Sequence, residues 1–153
     1  MAKISFLRQF NRGEYIFTPG NTADWIGFIT SGVAREYATD PRGQEEVWDL
    51  LCEGDYCTLA QPFFEKAPSI CGIQALEDME LVVVTRKDLF WLFESIPELQ
   101  AFTYELLSNR MLERMQQRSR LLNMTALERY KFFMRKHPNL LSRVALGHVS
   151  SYL

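Results

Sequence analysis

The chain has 153 residues, 47% apolar and 24% charged, which suits one globular domain with a helical appendage. No stretch approaches the roughly 18 apolar residues needed to span a bilayer, so no membrane segment is expected. The net charge of −2 conceals an asymmetry: residues 1–95 hold 8 Lys and Arg against 15 Asp and Glu, while residues 96–153 hold 9 against 4. An acidic front and a basic rear predict two parts with different surroundings. The bland reading of the rear is a solvated helix face, and the sharper one is a surface near nucleic acid.

The first ten residues carry Lys3 and Arg8 but neither a continuous apolar run nor a small-residue cleavage site. No signal peptide is expected, and the default compartment is the cytoplasm. From Arg12 to about Val84 the sequence reads as short strands divided by turn chemistry. Glu14–Phe17 is a strand closed by Thr18-Pro19-Gly20-Asn21. Trp25–Ile29 follows, ended by Thr30-Ser31-Gly32. Val33, Arg35 and Tyr37 alternate with Ala34, Glu36 and Ala38, which predicts a strand with two unlike faces. Asp40-Pro41-Arg42-Gly43 is a tight turn into a return strand, Glu46–Leu51, and Glu53-Gly54-Asp55 is another turn.

The stretch from Leu59 to Ala67 predicts a short helix or an irregular loop between Pro62 and Pro68. Ile70–Gln74 and Glu80–Val84 read as two more strands. Turn signals every 8–12 residues or so, without helical crossovers, point to an all-β sandwich or roll rather than a doubly wound parallel sheet.

The pattern changes at Thr85. Thr85 and Asp88 predict the start of a short helix, Lys87–Glu94, burying Leu89, Phe90, Leu92 and Phe93. Pro97 suits the first turn of the next helix, and no Pro or Gly interrupts Glu98 to Leu122. That long helix has two apolar stripes. One is Leu99, Phe102 and Leu106. The other is Tyr104, Leu107, Met111, Met115 and Leu122, interrupted by Arg118. A second stripe running beyond its own domain needs a partner, and the same helix of a second copy supplies one, in a parallel two-fold homodimer. The competing explanation packs that stripe on the small helices that follow. Thr125-Ala126-Leu127-Glu128 is a capping box before a helix over Leu127–Lys136, and a further helical segment begins near Arg143.

The three cysteines, Cys52, Cys57 and Cys71, form no CxxC pair, and the histidines His137 and His148 lie far along the chain. Buried reduced thiols are expected, with no disulfide framework and no metal site.

In this order the parts resemble the Crp/Fnr superfamily, to which the catabolite activator protein belongs. The resemblance rests on Phe10-Asn11-Arg12-Gly13-Glu14-Tyr15-Ile16, on Phe28-Ile29-Thr30-Ser31-Gly32-Val33-Ala34-Arg35 and on Glu53-Gly54-Asp55-Tyr56. It rests also on Ala75-Leu76-Glu77-Asp78-Met79-Glu80-Leu81, on Ala126–Tyr130, and on Arg143–Leu153, which resembles the start of a winged-helix DNA-binding domain. Together they cover nearly the whole chain. Each motif alone is weak, but their order and spacing are specific.

The resemblance implies a mainly β fold with added α structure. A jelly roll (double-stranded β-helix) over residues 1–96 would be the sensor domain. A dimerisation helix over 97–123 would follow, and 124–153 would begin a winged-helix domain. It implies a transcriptional regulator and not an enzyme. The recognition helix that reads DNA would lie outside these 153 residues, so direct sequence reading is not expected of this stretch.

Members that bind cyclic nucleotides use a Gly-Glu-Leu run and, about ten residues on, an Arg-Ser/Thr-Ala run. The arginine neutralises the phosphate and the acid holds the ribose. Counted from Gly54, the corresponding pocket positions here are Thr58, Leu59, Ala60 and Gln61, then Ser69, Ile70 and Cys71. Leu59 replaces the acid and Ser69 the arginine, so binding of cyclic AMP or cyclic GMP in the usual way is not expected. Phe63, Phe64, Ile70 and Ile73 are expected to fill the pocket, or an uncharged effector to occupy it. The N-terminal cysteine group of an iron–sulfur sensor is missing, and no cofactor is expected. A cupin-type metalloenzyme shares the roll, but residues 1–136 contain no histidine. Two alternatives stay open: a ligand-free β-roll interaction and dimerisation module, and a cyclic-nucleotide regulatory module with an atypical ligand.

Overall fold

The computed structural model describes residues 4–153, so Lys3 of the N-terminal reading lies outside the described residues. Eight strands form two antiparallel four-stranded sheets. They are β1 (Ser5–Phe10), β2 (Tyr15–Phe17), β3 (Trp25–Ser31), β4 (Ala34–Thr39), β5 (Glu45–Leu51), β6 (Tyr56–Cys57), β7 (Cys71–Ala75) and β8 (Met79–Thr85). One sheet runs β1-β8-β3-β6 and the other β2-β7-β4-β5. This is the expected jelly roll. Two strands escaped the sequence pattern. β1 has no clean alternation because most of it is exposed, and β6 is only two residues long.

The core lies between the sheets and follows period two. On β8, Met79, Leu81 and Val83 are buried, while Glu80, Val82 and Val84 are less so. Across from them β3 buries Trp25, Gly27 and Ile29. Trp25 stacks on Phe17 and Phe10, with ring centroids 4.6 and 6.0 Å away. Gly32, at the β3–β4 corner, has φ +106°, and a Cβ there would lie 2.5 Å from the Met79 side chain and 2.7 Å from the Asp78 carbonyl. Only glycine fits that corner.

β4 departs from the two-unlike-faces reading, because it is buried on both sides. Ala34, Glu36 and Ala38 pair with Ala75, Ile73 and Cys71 and share their interior face. Arg35 and Tyr37 face the other way. Arg35 donates to Gln74, pairs with Glu45 and lies 4.8 Å over the Tyr37 ring. The β4–β5 turn is held by the Asp40 carboxylate, which accepts the N–H groups of Arg42 and Gln44. A register shift opposite Glu36 and Tyr37 inserts an extra residue into β5, a bulge around Trp48.

The described chain divides into two compact units, one comprising the residues up to Arg86 with Ser142–Tyr152, the other Lys87–Leu141 with Leu153. The first contains the roll, the short helix α1 (Ala60–Glu65) and α5 (Leu146–Tyr152), which packs on β5. The second is helical: α2 (Arg86–Ser95), α3 (Pro97–Leu122) and α4 (Ala126–Lys136). On α2, Leu89 and Phe93 are buried, whereas Phe90 and Leu92, expected inside, are only half-buried. Phe93 packs against Phe90 and Tyr104, with ring centroids 5.7 and 6.2 Å apart. α4 starts at the expected capping box: the Thr125 hydroxyl accepts the Glu128 N–H, and the Glu128 carboxylate accepts the Thr125 N–H.

Candidate ligand chamber

The turn at the head of the pocket is built from its own backbone. The Asp55 carboxylate accepts the Cys52 N–H at 2.9 Å, and the Asp55 N–H returns to the Cys52 carbonyl at 3.0 Å. The Gly54 N–H donates to the Ile29 carbonyl, and φ of +89° lets glycine make the bend. Asp55 and burial push the Cys52 thiol up to about 11, with burial the larger cause.

Beyond β6, the Thr58 hydroxyl donates to the Trp25 carbonyl at 3.2 Å. Leu59 stands at the position before α1 and is buried. Phe63 is fully buried and meets Phe64 edge-on at 5.0 Å, and Ile73 is fully buried on β7. Two of the expected filling side chains therefore lie inside. Ile70 does not: it is 77% exposed. The Ser69–Cys71 turn that leads into β7 carries it outward, because the neighbours on either side face the interior. Ala60 and Gln61 are exposed, and the Gln61 amide is engaged by Glu65.

Ser69 is committed to its own turn. Its hydroxyl accepts the Cys71 N–H at 3.0 Å and donates to the Cys71 carbonyl at 2.6 Å. The backbone of Ser69 closes onto Gly20 and Asn21. The Cys71 thiol sits 3.5 Å from the Glu36 carboxylate, as a donor to it. Cys57 is also fully buried, and burial first, then the Glu36 charge, holds its thiol well above the ordinary range. Thus Ser69, Cys71 and Glu36 form one interior hydrogen-bonded group, whereas Gly54, Ala60, Gln61 and Ile70 stand apart from it.

Glu36 is the residue that sequence reasoning missed. The signal was present: on the Ala34–Glu36–Ala38 face, two small apolar residues flank the acid, which marks that face as core-directed. Among the described residues, the buried Asp, Glu, Lys and Arg side chains are Arg35 and Glu36, and Arg35 points away from the interior. Glu36 thus places a carboxylate beside the Cys71 thiol inside the roll. Among the described residues, no group of three or more His, Cys, Asp or Glu side chains is placed to hold a metal ion.

On α3, the second stripe stands out to solvent. Met111 is 63% and Met115 59% exposed, Leu122 and Tyr104 are exposed, and Leu107 is half-buried. Among the described residues, no helix is long and apolar enough to cross a membrane.

This fold is a two-sheet β-roll. The chain belongs to the cyclic nucleotide-binding domain family, whose sequence model matches residues 7–95. No curated protein matches it in sequence. Among solved structures it is similar to FixK2 of Bradyrhizobium japonicum, with TM-score 0.84 and 17% identity over 99% of this chain and 78% of that one. It is similar to the Thermus thermophilus catabolite activator protein, with TM-score 0.66 and 24% identity over 77% of this chain and 55% of that one. The c-di-GMP-responsive global regulator CLP of Xanthomonas campestris gives TM-score 0.67 and 21% identity over 86% and 66%. The family model places the roll among cyclic nucleotide-binding domains, and the likeness to these regulators is one of fold. The chain spans just over half the length of the catabolite activator protein.

Proposed function

We propose that this chain is the sensor and dimerisation part of a Crp/Fnr-type transcriptional regulator whose chamber does not take cyclic AMP or cyclic GMP in the usual way. Residues 1–96 act as the sensor, 97–123 as the dimerising helix and 124–153 as the beginning of the DNA-binding domain. The protein works in the cytoplasm as a homodimer. It meets DNA through a recognition helix outside these residues, and any effector is a small molecule other than the usual cyclic nucleotide. Support for regulation comes from likeness in fold to the catabolite activator protein and to CLP, itself described as linking cell–cell signalling to gene expression.

The observation that carries the ligand reading is the chemistry at the two positions where the resemblance expects the acid and the arginine. Leu59 and Ser69 stand where the acid and arginine would, Ser69 is engaged with Cys71, and the buried charge facing inward is Glu36. A phosphate brought there would lose its water without a bidentate cation, at a cost of several kcal/mol. A ligand with an uncharged or donor-rich surface fits better. Coupling runs through the two-state register of the α3 pair, which repositions the recognition helices relative to a half-site spacing of about 34 Å.

Thermal melts test this reading. A ligand present at about a hundredfold its Kd stabilises by about 2.7 kcal/mol, which is several degrees for a domain of this size. The melting temperature is expected to stay unchanged in about 1 mM cyclic AMP or cyclic GMP, a concentration that is a hundredfold above a 10 µM Kd on the same relation. A rise of several degrees overturns the reading.

A further inference from the structure

The segment Ser142–Tyr152 belongs to the same compact unit as the roll, and one side chain does most of the fastening. Arg143 forks onto Glu53, with Nη2 donating to Oε1 at 2.6 Å and Nη1 to Oε2 at 2.9 Å. Its Nε donates to Glu77 at 3.0 Å, and Nη2 also pairs with Glu77. The two carboxylates come from different places: Glu53 from the turn between β5 and β6, Glu77 from the turn between β7 and β8. Glu53 is itself a junction, because its Oε1 also accepts the Gly32 N–H at 2.8 Å. At the other end of the segment, the Ser151 hydroxyl accepts the Val47 N–H at 2.9 Å, beside the β5 bulge. Between these ends Val144 and Val149 are buried.

Val144 and Val149 fix the middle of the segment, and the polar contacts fasten its two ends. A guanidinium held bidentately by one carboxylate and shared with a second is the strongest fastening that surface chemistry offers. Yet Arg143, Glu53 and Glu77 all remain partly open to solvent, which keeps the contact breakable by salt or by a shift of either turn. The Glu53 turn leads directly into the chamber, through Gly54, Asp55 and β6. Movement at the head of the chamber therefore moves one half of the fastening.

We propose that Arg143 is a releasable latch, which holds the C-terminal segment on the roll through the turn at the head of the chamber and frees it when that turn moves. The latch stands apart from the nature of the effector. The identity of the chamber's occupant does not enter it.

Hydrogen–deuterium exchange on the full 153-residue chain tests the latch, with peptides covering 146–152 compared against peptides covering β3 and β8. Arg143→Gln is expected to speed exchange across 146–152 by about tenfold or more, while β3 and β8 keep their protection. Glu77→Gln, which removes one of the two carboxylates, is expected to give a smaller, severalfold rise. About 1 M salt should act on the wild type in the same direction. The exchange-compensating pair Glu53→Arg with Arg143→Glu is expected to restore much of the protection. Unchanged exchange across 146–152 in Arg143→Gln overturns the proposal. So does loss of protection throughout β3 and β8 in the same variant, since Arg143 would then support the roll itself.

Discussion

Replacing Met111 and Met115 together by Asp probes the homodimer at the centre of the exposed stripe on α3. The two side chains are 63% and 59% exposed, so well over half of each is left to be buried by a partner. Full burial of a methionine is worth about 1.5–3 kcal/mol, so each of these contributes about 1–2 kcal/mol to association. Two residues on each of two chains give about 4–8 kcal/mol, before the repulsion of four carboxylates gathered near a two-fold axis. At about 1.4 kcal/mol per factor of ten, the dissociation constant rises by three orders of magnitude or more. Sedimentation velocity over a concentration series reads this directly. Wild type is expected to run as a dimer and the double variant as a monomer with unchanged circular dichroism, because neither side chain belongs to the chain's own core. A double variant that still sediments as the wild-type dimer refutes the assignment of that stripe, and a monomeric wild type refutes the dimer.

Phe63→Ala removes a fully buried ring beneath the chamber and is expected to cost about 3–5 kcal/mol, measured by urea unfolding. A loss below about 1 kcal/mol would show that the ring does not fill the interior. Gly32→Ala should destabilise by more than about 1 kcal/mol, since its Cβ meets Met79 and the Asp78 carbonyl at positive φ. Hydrogen bonds from Arg143, chiefly, lower the Glu53 carboxyl to about 2, below its unfolded value. Its stabilisation is therefore present above about pH 4.3, the unfolded value, and is lost as the pH falls toward 2. Discounted for the exposure of both partners, it amounts to roughly 1 kcal/mol. Glu53→Gln should then be less stable than wild type at pH 7, with the gap closing near pH 2. A gap that is constant across that range contradicts the assignment.

Much of the fold was legible because its determinants are local. Turn chemistry at Pro19-Gly20, Asp40–Gly43 and Glu53–Asp55 fixed the strand boundaries between them, and the absence of Pro and Gly after Pro97 fixed α3. The capping box at Thr125 and Glu128 placed the start of α4 to within a residue. β1 and β6 were not legible. Their place depends on pairing with β8 and β3, far away in sequence, and neither has enough alternating residues to announce a face. At the expected pocket positions Leu59 is buried and Ser69 is tied to Cys71, whereas the acid Glu36 beside Cys71 was not singled out by the sequence. The double burial of β4 was hidden because it sits between β5 and β7, and β7 lies more than thirty residues further along the chain. Ile70 looked like core by composition, yet a side-chain-capped turn at Ser69 sends it into solvent.

On the proposed function, Leu59 and Ser69 leave the roll without an anion-recognising pair. Titration calorimetry of the wild-type chain with cyclic AMP and with cyclic GMP tests this most directly. The predicted result is no saturable heat at micromolar to high-micromolar nucleotide. One site per chain with a micromolar Kd would contradict it.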